Sequence, residues 1–379
     1  MVSLQEVSNR GSLRVLFDTS MLYIDAYGKR GVYYFTLNML KNVIRYGNDL
    51  SVFLYRISGR AGLANFIEIA RLSELLSLQR NIDLVFIPHP RTFVHALVPG
   101  ILSAPINVVI HDVHFLITPR SITYKLKLLP RYELVAEAVR YRDVYVTTVS
   151  QFSKYAIERY LKVPGNKVHV IYPGVDDIFK PIPRDLAANY VRTKYGISDR
   201  YFIYIGAVSM YKGIYDLITS FSIAIKRGLK DHRLVLVGPM EMNIAELLDI
   251  TKSLGIDGLV HYLGWVPRDD VPYLVSAATA LIMLSRHEGF GLPIVESMAC
   301  GTPVIASNIP VFKEVLGDAG VLVEPNNHED VAQWMNELSQ NKDLRQELYL
   351  KSLERAKYFT WYRTVMEYVN LWRRVSRHC

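Results

Sequence analysis

The stretch from Ala280 to Ala306 constrains this chain more than any other. Ala280-Leu281-Ile282-Met283-Leu284 is an apolar run of strand length. A polar, glycine-bearing segment follows: Ser285-Arg286-His287-Glu288-Gly289-Phe290-Gly291-Leu292. Pro293 then stands where a first helical residue would, because it has no N–H to lose and its φ is already helical. Val295, Met298 and Ala299 supply an apolar helix face, Gly301 is placed to end the helix, and Pro303 stops any continuation. Val304-Ile305-Ala306 returns to strand. The spacing predicts strand, glycine-rich loop, helix, strand.

Such a turn leaves backbone N–H groups and a positive helix end pointing out of the sheet, which suits a phosphate. Gly289 and Gly291 let the backbone approach a ligand closely. Glu288 lies in the loop and Glu296 about one turn into the helix, so both carboxylates can face one crevice. A phosphate site bordered by two carboxylates suits a sugar nucleotide. On spacing alone, a plain helix start with two solvated Glu side chains fits equally well.

Glu288, seven intervening residues and Glu296, set around Gly-Phe-Gly-Leu-Pro and followed by Met-Ala-Cys-Gly-Thr-Pro-Val-Ile-Ala-Ser, resemble the E-x7-E signature of the retaining GT-B glycosyltransferases of family 4, the glycosyl transferases group 1. The resemblance runs from about Leu13 to Trp372 and is strongest over 201–325. It implies two facing, doubly wound Rossmann-like α/β domains with a C-terminal helix crossing back to the first. The expected boundaries are 1–178 for an acceptor-side domain, 179–358 for a nucleotide-sugar domain and 359–379 for the returning helix.

The order of elements agrees with an α/β reading independently. Leu13–Phe17 reads as a strand, and Val32–Leu40 as a helix with Val32, Phe35, Met39 and Leu40 on one face. Gly28-Lys29-Arg30-Gly31 lies between them, a crevice-forming turn or a plain β–α turn. Further strands are expected at Leu50–Tyr55, Leu84–Ile87, Ile106–Ile110 and Val144–Val149, with a helix over Phe66–Leu78 and Ser150 as an N-cap. The strand Ile106–Ile110 delivers His111-Asp112-Val113-His114 to its carboxyl end, where parallel α/β sheets place chemistry. A metal cluster of His111, Asp112 and His114 is the weaker reading, since neighbours on an extended chain point apart. Phe179-Lys180-Pro181-Ile182-Pro183 has linker composition. Tyr201–Ile205 is the next strand and opens into Gly206–Gly213, where Lys212 either neutralises a diphosphate or is simply solvated. Val260–Val266 reads as a strand in which Trp265 or Val266 contacts a base, with core packing an equal alternative for Trp265. From Asp330 onward the chain reads as helical, with Trp361, Val365, Val369 and Trp372 at helical spacing.

The resemblance implies roles for these positions. His111 becomes the active-site histidine, and Lys212 the cation on the donor phosphates. Glu288 would hold donor sugar hydroxyls and Glu296 the ribose. The N–H groups of Phe290, Gly291 and Leu292 would hold the diphosphate, with Gly31 and Gly206 in the loops beside it. Many members carry an Arg directly after the equivalent of Gly206, but this chain has Ala207. Arg286, Arg30 or a backbone donor must then supply the second positive partner. The implied reaction moves a hexosyl group, mannose or glucose, from a UDP- or GDP-sugar to a hydroxyl of a glycan or lipid-linked glycan. The nucleotide-sugar is a substrate, and no cofactor or metal is expected, in keeping with the lack of a D-x-D triplet. No G-x-x-x-x-G-K-[ST] occurs, which excludes a P-loop NTPase.

Charge adds a partner. Residues 1–178 hold 21 Lys and Arg against 14 Asp and Glu, whereas the remainder is nearly balanced, within a net charge of +8. A basic first half suits an acidic partner such as lipid headgroups or a phosphorylated acceptor. The stretch 119–131 mixes Arg120, Lys125, Lys127 and Arg131 with Ile122, Leu126 and Leu129, which would share one helical face. That face rests on an anionic membrane surface or packs on its own domain. Nucleic acid is not expected, because clustered aromatics with Arg and any reading-helix pattern are lacking. Two cysteines, Cys300 and Cys379, make no disulfide framework. With a polar N-terminus and no apolar run of about 18 residues, the expected location is cytoplasmic, peripheral on the inner face of the membrane. A phosphorylase or nucleotide-sugar epimerase of the same fold, and a non-catalytic nucleotide-sugar-binding protein, are the competing functions.

Overall fold

The computed structural model describes residues 13–23, 31–55, 82–97, 104–118 and 122–376. The predicted helix over 66–78, the Gly28-Lys29-Arg30 turn, Arg120 and Cys379 lie outside these residues. The chain divides into two compact units, one of Met1–Gly174 with Trp361–Cys379 and one of Val175–Thr360.

The first unit is built on strands β1 (Leu13–Asp18), β2 (Leu50–Tyr55), β3 (Leu84–Ile87), β4 (Ile106–Val109), β5 (Val144–Thr148) and β6 (Val168–Val170). They pair in the order β2-β1-β3-β4-β5-β6, all parallel. Parallel strands covered on both faces read as continuous apolar runs, and β3 and β4 are buried at every residue. The helices are α1 (Gly31–Tyr46), α2 (His114–Ile117), α3 (Ile122–Tyr141) and α4 (Gln151–Leu161). Ser150 caps α4 by accepting from the Ser153 N–H at 3.0 Å. In α3, Leu126 and Leu129, expected on one face, have different surroundings. Leu128 and Leu129 pack against the core through Tyr132, Val135 and Val139, while Leu126 is 64% exposed.

The last helix, Trp361–Ser376, belongs to this first unit. Its Trp361, Val365, Tyr368, Val369 and Trp372 are buried among Phe17, Phe35, Met39 and Phe86. Three polar bonds fix its position on the sheet. Trp372 Nε1 donates to Asn107 Oδ1 at 2.9 Å, Tyr368 to Thr147 at 3.3 Å, and Thr364 to the Tyr172 carbonyl at 2.7 Å. Buried polar atoms that bond in this way specify a docking register that apolar contact alone leaves loose.

The second unit follows the same plan. Strands β7 (Arg200–Ile205), β8 (His232–Val237), β9 (Val260–Gly264), β10 (Ala280–Met283), β11 (Val304–Ser307) and β12 (Val321–Val323) pair in the order β12-β11-β10-β7-β8-β9, all parallel. Its helices are α5 (Arg184–Tyr195), α6 (Ile214–Lys226), α7 (Ile244–Ser253), α8 (Val271–Ala277), α9 (Leu292–Ala299), α10 (Pro310–Leu316), α11 (His328–Gln340) and α12 (Lys342–Ala356), with Trp361–Ser376 as α13. The region expected to be helical from Asp330 onward holds three helices, α11 to α13. Asn341 accepts from the Leu344 N–H at 3.0 Å and starts α12.

In each sheet the strand order reverses once, between β1 and β3 in the first unit and between β7 and β10 in the second. Loops leaving the carboxyl ends of two such strands part to opposite sides and open a crevice. Gly213 makes the second crevice tight. Its φ is +76°, and a Cβ there would meet the Leu284 carbonyl oxygen at 2.2 Å. Only glycine lets the start of α6 lie this close to the end of β10.

Candidate active site

The loops after β7 and β10 meet at the second switch point. Lys212 ends the first loop, in the turn Met210–Lys212, and Glu288 lies in the second. Lys212 Nζ lies 2.7 Å from Glu288 Oε1, and the Ser285 hydroxyl donates to the same oxygen at 2.8 Å. Both charged side chains are mostly buried, at 18% and 14% exposure. A cation and an anion expected to serve different parts of one donor are thus joined. Beneath them Tyr204 is fully buried and donates to the Ala207 carbonyl at 2.8 Å. Burial first, and then the charge of Glu288, push its phenol well above the usual range, so it stays a neutral donor. Gly206 follows with φ +156°, and Gly206 N–H donates to the Val237 carbonyl at 2.9 Å.

The Glu288 loop ends at Gly291, which has φ +101° and is the N-cap of α9. A Cβ at that position would meet the Phe312 ring at 2.9 Å. Leu292, not Pro293, is the first helical residue, so the proline sits one place further into the first turn. A glycine cap offers no side-chain acceptor, and the first N–H groups of a helix have no intrahelical partner. Phe290 is 5% exposed and stacks edge-on with Phe359 at 5.6 Å. Glu296, one turn along α9, is 3% exposed and binds Arg268 Nη2 through Oε1 at 2.5 Å. Among the described residues its partner is Arg268, whereas Glu288 is bonded to Lys212 and Ser285.

Arg286 is engaged elsewhere. Its Nη2 lies 2.8 Å from Asn326 Oδ1 and 3.4 Å from Asp216 Oδ2, and His328 Nε2 meets the other Asp216 oxygen at 2.9 Å. Its side chain is still 53% exposed. Trp265 is 50% exposed and Val266 is buried, which removes the core reading of the tryptophan.

In the first unit His111 follows β4. Its Nε2 lies 3.0 Å from the Pro88 carbonyl oxygen, which makes Nε2 the protonated nitrogen. Phe35 meets the ring edge-on at 4.7 Å, and the His89 ring stacks at 6.1 Å. Ser153 Oγ donates to the His111 carbonyl at 3.2 Å, so the N-terminal turn of α4 holds the backbone. Burial lowers the His111 pKa, opposed by the Pro88 carbonyl and by Asp112. His89 falls to about 3, through burial and then the neighbouring His111. Asp112 bonds to His114, whereas the ring of His111 turns to Pro88, so these residues do not converge on one point. Gly31 is the exposed first residue of α1.

Sequence reasoning did not find Ser285, Arg268, Asp216, His328 or His89. Ser285 was legible in principle, three residues before Glu288 on the same loop. Arg268 lies 28 residues from Glu296 on another loop, and no local spacing rule links them.

Two family models match the chain. The model for glycosyl transferases group 1 covers residues 192–354, and that for glycosyltransferase family 4 covers 36–178. Among curated relatives, the O-antigen chain mannosyltransferase B of Escherichia coli is 30% identical over 230 residues, 60% of each chain. The O-antigen chain mannosyltransferase RfbU of Salmonella typhimurium is 30% identical over 234 residues, 62% of this chain and 60% of that protein. The alignments thus span about three fifths of those relatives' length. Among solved structures, sucrose-phosphate synthase from Thermosynechococcus elongatus superposes with a TM-score of 0.76 at 17% identity, covering 97% of this chain and 100% of that one. HepE from Anabaena, in complex with UDP-glucose, gives 0.73 at 18% identity, covering 94% and 99%.

Proposed function

The chain belongs to the group 1 glycosyltransferases and has the GT-B fold, and on that premise we propose that it moves a hexosyl group from a nucleotide-diphosphate sugar to a hydroxyl of a glycan or lipid-linked glycan, with retention of configuration. The observation that carries this reading is the meeting of Lys212 and Glu288 at 2.7 Å on the β7/β10 switch point, beside the glycine-capped start of α9. A cation and helix N–H groups at one end, and a carboxylate beside them, match a diphosphate joined to a polyhydroxylated ring.

In the reaction the bond from the sugar's anomeric carbon to the diphosphate oxygen breaks, and a bond to the acceptor oxygen forms on the same face. The transition state is oxocarbenium-like, with negative charge growing on the leaving diphosphate. Lys212 and the N–H groups of Phe290, Gly291 and Leu292 stabilise that charge, which is where preorganised donors act most strongly. Glu288 accepts from sugar hydroxyls, and Ser285 holds its carboxylate in place. Glu296 accepts from the ribose, and Gly206 keeps its loop slim. For His111 the role proposed is contact with a sugar hydroxyl. Its Nε2 is committed to Pro88, so a ligand hydroxyl would donate to Nδ1. The acceptor proton goes to the departing phosphate oxygen.

Mannose is the first donor sugar to test, on the names of the relatives. The basic first unit is proposed to take an anionic acceptor or an anionic membrane surface. Among the described residues no helix is long and apolar enough to cross a membrane.

The test is calorimetric titration with UDP-, GDP- and ADP-linked glucose and mannose, on the native chain and on Glu288→Ala. One base is expected to be selected, with transfer lost in the variant. Failure of every nucleotide-sugar to bind at millimolar concentration would overturn the reading. An anomeric proton signal showing an inverted product would remove retention, and a requirement for free phosphate would point to a phosphorylase.

A further inference from the structure

We propose that Arg268 is a positioning residue for the nucleotide ribose: it occupies one carboxylate oxygen of Glu296 and thereby aims the other at the ribose hydroxyls. The inference rests on the assignment of Glu296 to the ribose made above.

Glu296 is 3% exposed, on a helix whose neighbouring residues Val295, Ser297 and Met298 are buried. A carboxylate in such a place needs a partner. Arg268 supplies it, with Nη2 at 2.5 Å from Oε1. That bond leaves Oε2 as the oxygen for a ligand.

The guanidinium packs on an aromatic ring, and the turn that carries it is anchored. Its Cζ lies 4.5 Å above the Phe179 ring, so an aromatic face fixes its plane. The turn that carries it, Arg268–Asp270, is pinned two residues later. Asp270 is 3% exposed and accepts from Tyr190 at 2.6 Å and from Tyr195, and its Oδ2 pairs with Lys194 Nζ at 2.7 Å. All three partners stand on α5, which the Phe179 segment enters. An ordinary surface ion pair has no such scaffold and contributes little. Here a linker aromatic lies against the guanidinium, and three side chains of one helix fix, through Asp270, the short turn that carries it to Glu296. The chemistry this serves is geometric. A carboxylate free to rotate accepts from many directions, whereas one oxygen tied down makes the other directional.

The experiment compares UDP and GDP with their 2′-deoxy and 3′-deoxy analogues by titration calorimetry on the native chain, Glu296→Gln, Arg268→Gln and Arg268→Lys, with a thermal melt of each. The native chain is expected to prefer the ribonucleotide over one deoxy form roughly ten- to hundredfold, the scale of a hydrogen bond to a charged group. In Arg268→Gln that ratio collapses toward one. In Arg268→Lys, which keeps the charge and loses the planar fork, it is intermediate. If Arg268→Gln weakens ribo and deoxy forms equally and keeps the ratio, Arg268 only supports packing and the proposal is overturned. If Arg268→Gln does not fold, Arg268→Lys decides, and a native ratio there overturns it. If the native chain and Glu296→Gln share one ratio, the ribose assignment of Glu296 fails and this inference falls with it. That outcome leaves sugar transfer by Lys212 and Glu288 untouched.

Discussion

The two units use one scaffold and dress it differently. Both are six-stranded parallel sheets with a single reversal of strand order. At the second unit's reversal the loops bring together opposite charges, Lys212 and Glu288, with Ser285 attached. Near the first unit's reversal, the loops after β3 and β4 bring together two imidazoles, His89 and His111, against Phe35 and Tyr132. Burial drives both imidazoles toward the neutral form. One crevice is thus a charged binder of phosphate and hydroxyls, and the other a neutral, aromatic wall. The topology fixes where a crevice opens, and only the loop residues decide what it handles.

Four experiments break or sharpen that contrast. The largest effect is structural and confined to the first unit. Trp372→Ala removes a fully buried indole and its bond to Asn107, at a cost of about 3–5 kcal/mol. Calorimetry should show the first unit's transition falling while that of residues 175–360 stays, and a joint shift of both would show that the units do not unfold separately. Next comes the charged crevice. Glu288→Gln keeps the shape, leaves Lys212 without its anion, and should lower kcat by roughly 10²–10³-fold, the scale of one lost electrostatic partner. A change in KM alone would make Glu288 a ground-state binder.

The neutral wall should respond to acid. A histidine whose folded pKa lies below its unfolded value of 6.5 favours the native state while both forms are neutral. That stability is lost as pH falls from 6.5 toward the folded pKa, about 3 for His89. His89→Gln should therefore flatten the acid limb of the stability curve between those values, as read from urea midpoints at successive pH. An unchanged limb would show that His89 is not held neutral. The smallest effect belongs to Ser285→Ala, which deletes one hydrogen bond to Glu288. It should cost about 1 kcal/mol, or roughly fivefold in kcat/KM.

Much of this was readable beforehand, for reasons that differ by residue. The β10–loop–α9 unit announced itself because strand, glycine cap and proline are local signals within twelve residues of one another. The returning helix was equally plain, since Trp361, Val365, Val369 and Trp372 recur at its period. The packing of α3 was open because Leu126, Leu128 and Leu129 are all apolar, and only tertiary packing chooses among them. Arg268 stayed hidden because its meeting with Glu296 depends on where two separate loops end, which no periodicity encodes. Arg286, counted as a spare cation, is partly engaged by Asp216 and Asn326, each more than 30 residues away.

The placement of the last helix has a consequence for synthesis. The chain leaves the first unit after Gly174 and re-enters it at Trp361, and Val175 N–H donates to the Phe359 carbonyl at 2.9 Å, so the ends of the intervening segment lie side by side. The second unit is an insertion with its ends in register, whereas the first has its core divided between the residues before and after that insertion. As the polypeptide leaves the ribosome, Phe17, Phe35 and Phe86 emerge long before Tyr368 and Trp372, which cover them. The unit whose strands are translated before the other is the one that must wait to be finished, with an apolar sheet face open until α13 arrives.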